Sequence, residues 1–154
     1  MEKRRHQPSK PQEVAPAFEE VSGVCEDGIE QLRPIKTKYG TVSLASDIGI
    51  GNHRNEDRVF LDTSHSLFGV ADGIGGYEKG DEAAQIISEE VVKGVRVGIK
   101  PALIQFEASS RMRQSQIFMG GACYLYFQIE KKIAKIFWAG DVKLIVLDAN
   151  GKLL

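Results

Sequence analysis

The chemistry of this sequence is concentrated in three carboxylates and a glycine-rich turn. Asn55-Glu56-Asp57 comes just before the apolar run Val59-Phe60-Leu61, and Asp72-Gly73-Ile74-Gly75-Gly76 directly follows a second run, Leu67-Phe68-Gly69-Val70-Ala71. Joined by residues 62–66, the two runs read as the arms of a β-hairpin, so the start of the first arm lies beside the end of the second. Glu56, Asp57 and Asp72 are therefore expected to converge at one end of a sheet. Like charges crowded in this way raise one another's pKa and destabilise the fold unless cations neutralise them, and an all-oxygen donor set suits Mg²⁺ or Mn²⁺. Gly73, without a Cβ, allows a sharp turn that presents its carbonyl to the same ion. Alone, Asp-Gly is a turn dipeptide and Asn-Glu-Asp a polar strand start; a hairpin between them makes the pair a candidate metal centre.

The elements that must position these residues follow from periodicity. Val42, Leu44 and Ala45 mark a strand that starts at Thr41 and ends near Ser46-Asp47. In residues 81–97, Ala84, Ile87, Val91 and Val95 recur at steps of three and four, predicting an amphipathic helix with Asp81 as cap and Glu82 favourable to its dipole. A second helix starts at Pro101 and carries Leu103, Ile104, Phe106 and Met112. Three strands are then expected at 122–129, 132–139 and 144–147, with turns at Glu130-Lys131, Gly140-Asp141 and Ala149-Asn150-Gly151. Strands, then helices, then strands define an α+β domain with an antiparallel sheet. Residues 1–38 hold four of the five prolines, the basic cluster Lys3-Arg4-Arg5 and the acidic pair Glu19-Glu20, but no sustained period. They read as a disordered leader ahead of a domain at 39–154.

Bulk properties narrow the partners. At 154 residues, 42% hydrophobic and 27% charged, the chain has the composition of a globular domain. Its 20 basic and 21 acidic side chains leave a net charge of -1, so no overall field points to nucleic acid or an anionic membrane. Cys25 and Cys123 are too few and too far apart for a disulfide scaffold, which fits a reducing, cytoplasmic setting. The charged start has no apolar stretch behind it, and no window reaches the roughly 20 apolar residues of a membrane span, so neither export nor membrane insertion is expected.

Taken in order, Ser46-Asp47-Ile48-Gly49, Arg54-Asn55-Glu56-Asp57-Arg58, Phe68-Gly69-Val70-Ala71-Asp72-Gly73-Ile74-Gly75-Gly76 and Gly80-Asp81-Glu82-Ala83-Ala84 resemble successive signatures of the PPM/PP2C protein phosphatases. Downstream, Met119-Gly120-Gly121-Ala122-Cys123 stands where the family has a Gly-Thr-Thr-like strand, and Ala139-Gly140-Asp141-Val142-Lys143 resembles its Gly-Asp-Ser-Arg turn. The resemblance implies a PP2C-like antiparallel β-sandwich flanked by helices. It also implies a metal-dependent serine/threonine phosphatase acting on a phosphorylated protein through a metal-bridging hydroxide. Two Mn²⁺ or Mg²⁺ ions would be bridged by Asp72, with the Gly73 carbonyl on one of them and Glu56 and Asp57 acting directly or through water. Asp57 and Asp72 are thus the expected catalytic positions.

The pattern departs from the family in specific places. Asn52 and Gly51 stand where a phosphate-binding arginine is usual. The nearest guanidinium, Arg54, keeps the same face of an extended segment but is displaced by roughly 6–7 Å. Isoleucine at 74 cannot supply the proton that histidine gives in some relatives, for which His53 is a substitute candidate. Lys143 replaces an arginine, and Asp141 reads as a turn residue rather than a ligand. Because the family pattern continues past Leu154 to further aspartates, residues 39–154 read as the N-terminal part of a truncated domain. The alternatives are a catalytically inactive fragment or pseudophosphatase acting as a binding module, and a simple divalent-cation-binding domain. Oligomeric state is left open.

Overall fold

The computed structural model describes residues 22–25, 32–48, 54–74 and 79–154. Among them run β1 (Ser22–Cys25), β2 (Leu32–Thr37), β3 (Gly40–Leu44), β4 (Asp57–Asp62), β5 (Leu67–Gly73), α1 (Gly80–Arg96), α2 (Pro101–Gln114), β6 (Ala122–Glu130) and β7 (Ile133–Ala139). The expected β4–β5 hairpin forms, and it lies inside a five-stranded antiparallel sheet of order β1-β4-β5-β6-β7. A separate two-stranded sheet pairs β2 with β3. The chain is therefore α+β, with two antiparallel sheets and two helices.

Strand alternation, with both sheet faces covered, explains why Val59-Phe60-Leu61 of β4 and Leu67-Phe68-Gly69-Val70-Ala71 of β5 are continuous apolar runs. Phe60, Leu67, Ala71, Tyr124 and Tyr126 face the helices and pack with Ala83, Ala84, Ile87, Val91, Ile104 and Ala108. The intervening residues Leu61, Phe68 and Phe127 face the other way and pack with Ile35, Val42 and Leu44 of the β2–β3 hairpin. Two covered faces leave little room for polar side chains at the sheet centre. Further along, the face of β7 away from the helices stays open at Ile136 and Trp138, 38% and 64% exposed.

Helix α1 keeps the expected apolar stripe, but its cap differs. Lys79, with φ 69°, is the N-cap and makes no side-chain capping bond, while Asp81 and Glu82 lie in the first turn, where their charges favour the dipole. Pro101 opens α2 as expected. At the opposite end of the sheet from Asp57, the buried Asp62 carboxylate accepts hydrogen bonds from Arg96 Nε at 2.6 Å and from the His65 backbone at 3.1 Å, tying the hairpin turn to the end of α1.

Two expectations need correction. Within residues 1–38, taken as a disordered leader, 22–25 and 32–37 are strands: β1 pairs with β4 and β2 with β3. Edge strands need a partner more than a strong local signal, so their short polar sequences concealed them. Residues 1–21 and 26–31 of that leader lie outside the described residues. The strand expected at 144–147 is not formed. There the chain makes only the bridge Leu147↔Leu153 around a turn in which Asp148 Oδ1 accepts from Asn150 N and Lys152 N at 2.8 and 2.9 Å. Leu144, Ile145, Val146 and Leu147 stay exposed, because apolar side chains make a strand only where a ladder receives it.

Candidate metal centre

Register brings the two aspartates together. In the β4–β5 ladder Asp57 faces Asp72 directly, and β6 continues the row with Cys123 opposite Asp72. Both aspartates share the sheet face of Val59 and Val70, and with them they line a cleft of about 330 Å³. Asp47, from the segment after β3, and Asp141, from the turn after β7, line the same cleft. Four aspartates thus line one volume. Burial first, then the charge of Asp72 and a hydrogen bond to it, raise the Asp57 carboxyl above its ordinary range; Glu56 adds to the rise, and the Arg58 guanidinium opposes it.

Asn55 and Arg58 hold this end of the sheet in shape. Buried Asn55 donates from Nδ2 to Ser46 Oγ at 2.7 Å and accepts from Asp57 N at 3.0 Å, an Asx turn that fastens the Ser46-Asp47 segment to the entry of β4. Arg58, also buried, donates to the carbonyls of Asn55 and Asp57 at 2.9 Å each and from Nε to Gln85 Oε1 at 2.8 Å on α1. Its guanidinium is thus a strut that braces the backbone on both sides of Glu56. Neither residue was singled out from the sequence. The signal available was Asn two residues before a strand start, a pattern that an Asx turn favours.

The expected trio converges only in part. Glu56 reaches the same sheet end, but consecutive strand residues point to opposite faces, and its carboxylate lies on the helix side against Gly80. Gly73 donates its N–H to the Glu56 carbonyl at 3.1 Å, and a Cβ there would meet backbone of Gly80 at 2.5 Å, so this position excludes any side chain. Arg54 is exposed and does not line the cleft; its guanidinium pairs with Asp81 at 3.3 Å in the first turn of α1. Asp141, read as a turn residue, lies in the turn after β7 and also lines the cleft. Gly51, Asn52, His53, Gly75 and Gly76 lie outside the described residues.

The donor set fits a hard divalent cation. Asp57 and Asp72 face each other across the ladder, and a cation between them would neutralise the negative charge they crowd together. Among the described residues no three acidic, His or Cys side chains form a ready-made cage. Mg²⁺ needs less, since it is commonly held by one or two carboxylates and keeps several waters. No family model, curated protein or solved structure matches the chain. Among the described residues no helix is long and apolar enough to cross a membrane.

Proposed function

We propose that the chain is a metal-dependent protein serine/threonine phosphatase of the PPM/PP2C type, its two sheets belonging to a PP2C-like sandwich and its setting cytoplasmic. The observation that supports this reading best is Asp57 facing Asp72 across the β4–β5 ladder on a cleft that Asp47 and Asp141 also line. Asp57 and Asp72 would hold Mn²⁺ or Mg²⁺; Glu56 and the Gly73 carbonyl are at the same sheet end, with the Glu56 carboxylate on the helix side. When bound, such ions supply Lewis-acid activation of water and neutralise charge on the transferring phosphoryl group. The chain's own residues supply position. Arg58 and Asn55 keep the two aspartates in register, and the open cleft admits a phosphorylated side chain. Arg54 offers the phosphate a guanidinium that pairs, among the described residues, with Asp81 in an exposed ion pair that a dianion can displace.

The same ion pair favours a second reading, a catalytically inactive relative that binds a partner, because it holds the Arg54 guanidinium on Asp81 rather than in the cleft. The deciding experiment is Mn²⁺-dependent hydrolysis of a phosphothreonine peptide by the purified chain, beside Asp72→Asn. Hydrolysis that is lost in the variant supports the phosphatase. A folded, Mn²⁺-binding chain that hydrolyses nothing refutes it and leaves the binding module.

A further inference from the structure

The helix face of the sheet is not filled at the end away from Asp57 and Asp72. Where α1 turns into α2 over β6 and β7, a cavity of about 260 Å³ remains. Its apolar lining comes from Val95 at the end of α1, Ile99 in the link that follows, Ile104 of α2, Tyr126 of β6 and Phe137 of β7. Protein interiors seldom leave a space of this size, and an unfilled one forfeits the dispersion contacts of its walls. Tyr126 is 2% exposed, and its hydroxyl is buried with no hydrogen-bond partner among the described residues. A polar group in this wall therefore stands unused.

Charge at the mouth points to the occupant. The charged residues that line the cavity, Lys100, Glu130 and Lys135, are all exposed and so stand at its rim. Lys135 Nζ is already paired with Glu130 Oε2 at 2.6 Å. The Lys100 ammonium has no ion pair or hydrogen bond among the described residues. Lys100 is also the N-cap of α2, whose cap makes no side-chain bond and whose first turn holds no acidic residue, so the positive end of this helix adds to the same unmatched charge. We propose that the cavity binds a small organic anion, its apolar body against Ile104 and Phe137 and its charged group at Lys100 and the start of α2. Since a cavity of about 150 Å³ holds benzene, this one takes a molecule of roughly ten non-hydrogen atoms. The site shares no residue with the cleft of Asp57 and Asp72 and does not depend on the metal reading.

Titration of the full chain with phenylacetate, followed by amide NMR signals, tests this. Saturable shifts are expected at Val95, Ile99, Ile104 and Phe137, and phenylacetamide, of the same shape without the charge, is expected to bind at least tenfold more weakly. Lys100→Glu should melt at the wild-type temperature or slightly above, because an acidic residue suits the start of a helix, yet bind phenylacetate at least tenfold more weakly. Lys100→Arg should retain the affinity, and Asp72→Asn should leave it unchanged. No saturable shift at these four residues, equal binding of acid and amide, or wild-type affinity in folded Lys100→Glu overturns the anion site. Binding lost in folded Asp72→Asn overturns it as well, by assigning the anion to the aspartate cleft.

Discussion

Replacing Asp72 by asparagine is expected to make the metal-free protein more stable while removing its response to Mn²⁺. Residues that face each other in an antiparallel ladder have Cβ atoms about 5 Å apart. Two full charges at that distance repel by about 3 kcal/mol at an effective dielectric constant near 20 and by under ~1 kcal/mol in bulk water. Asp57 and Asp72 both reach solvent, so screening brings the expected repulsion down to about 1 kcal/mol. Asparagine removes that repulsion and can still donate a hydrogen bond to Asp57. At neutral pH without metal, Asp72→Asn should therefore melt roughly 3–5 °C above wild type.

The pH dependence has a definite sign. Because its burial and then its charged neighbour raise the Asp57 carboxyl, protonated Asp57 favours the folded state, and that contribution is lost as pH rises through the folded value. The advantage of Asp72→Asn should then grow as pH rises out of the carboxylate range and vanish in acid. Mn²⁺ at a hundredfold excess over its dissociation constant should add about 2.7 kcal/mol to wild type and little to the variant, inverting their order. Thermal melts across pH, with EDTA or with Mn²⁺, measure both effects. A variant less stable than wild type at neutral pH in EDTA, or one stabilised equally by Mn²⁺, would refute the carboxylate-pair argument.

Other outcomes follow from the sheet and its core. Burial alone would raise the Asp62 carboxyl, but hydrogen bonds from Arg96 and His65 outweigh it and hold it below its ordinary range. Its contribution is present above the unfolded value and lost as pH falls through the folded one, so Asp62→Asn should cost about 2–3 kcal/mol at neutral pH, a gap that closes in acid when urea midpoints are compared. Gly69→Ala would drive a methyl to 2.3 and 2.4 Å from the Phe60 ring and 2.8 Å from Tyr126 Cβ. It should destabilise by about 2–3 kcal/mol, partly recovered by adding Phe60→Leu, as calorimetric melting can show. The Tyr126 hydroxyl is buried without a hydrogen-bond partner among the described residues, so Tyr126→Phe should gain about 1 kcal/mol in denaturant titrations. Burial, and to a lesser degree neighbouring Tyr124, push that phenol up to about 12, and ultraviolet titration of wild type should show one tyrosine ionising only there, absent from the variant.

The centre of the candidate site was legible because it is local. Asp57 and Asp72 are 15 positions apart, and the lengths of the two apolar runs and of the link between them set a register that places one opposite the other. Helix α1 was equally plain, its apolar residues recurring with the helical period. The same alternation rule that pairs the aspartates also turns Glu56 away from them, since residues that share a sheet end need not share a face. For Asn55 and Arg58 the residue types were visible but their partners were not, since Ser46 and Gln85 lie on other elements.

By itself, then, the sequence determined the hairpin, the helix that covers it and the meeting of two carboxylates, because each depends on side-chain periodicity and on loop closure over a few residues. Only the tertiary structure decided that 22–25 and 32–37 are strands while 144–147 is not, since a ladder partner makes a strand and that partner is distant in the chain. It likewise decided that Asp47 and Asp141 share the cleft of Asp57 and Asp72, and that Glu56 rests on Gly80. Those contacts join segments tens of residues apart, whose approach is set by how the hydrophobic faces of sheet and helices pack rather than by any local preference of the chain.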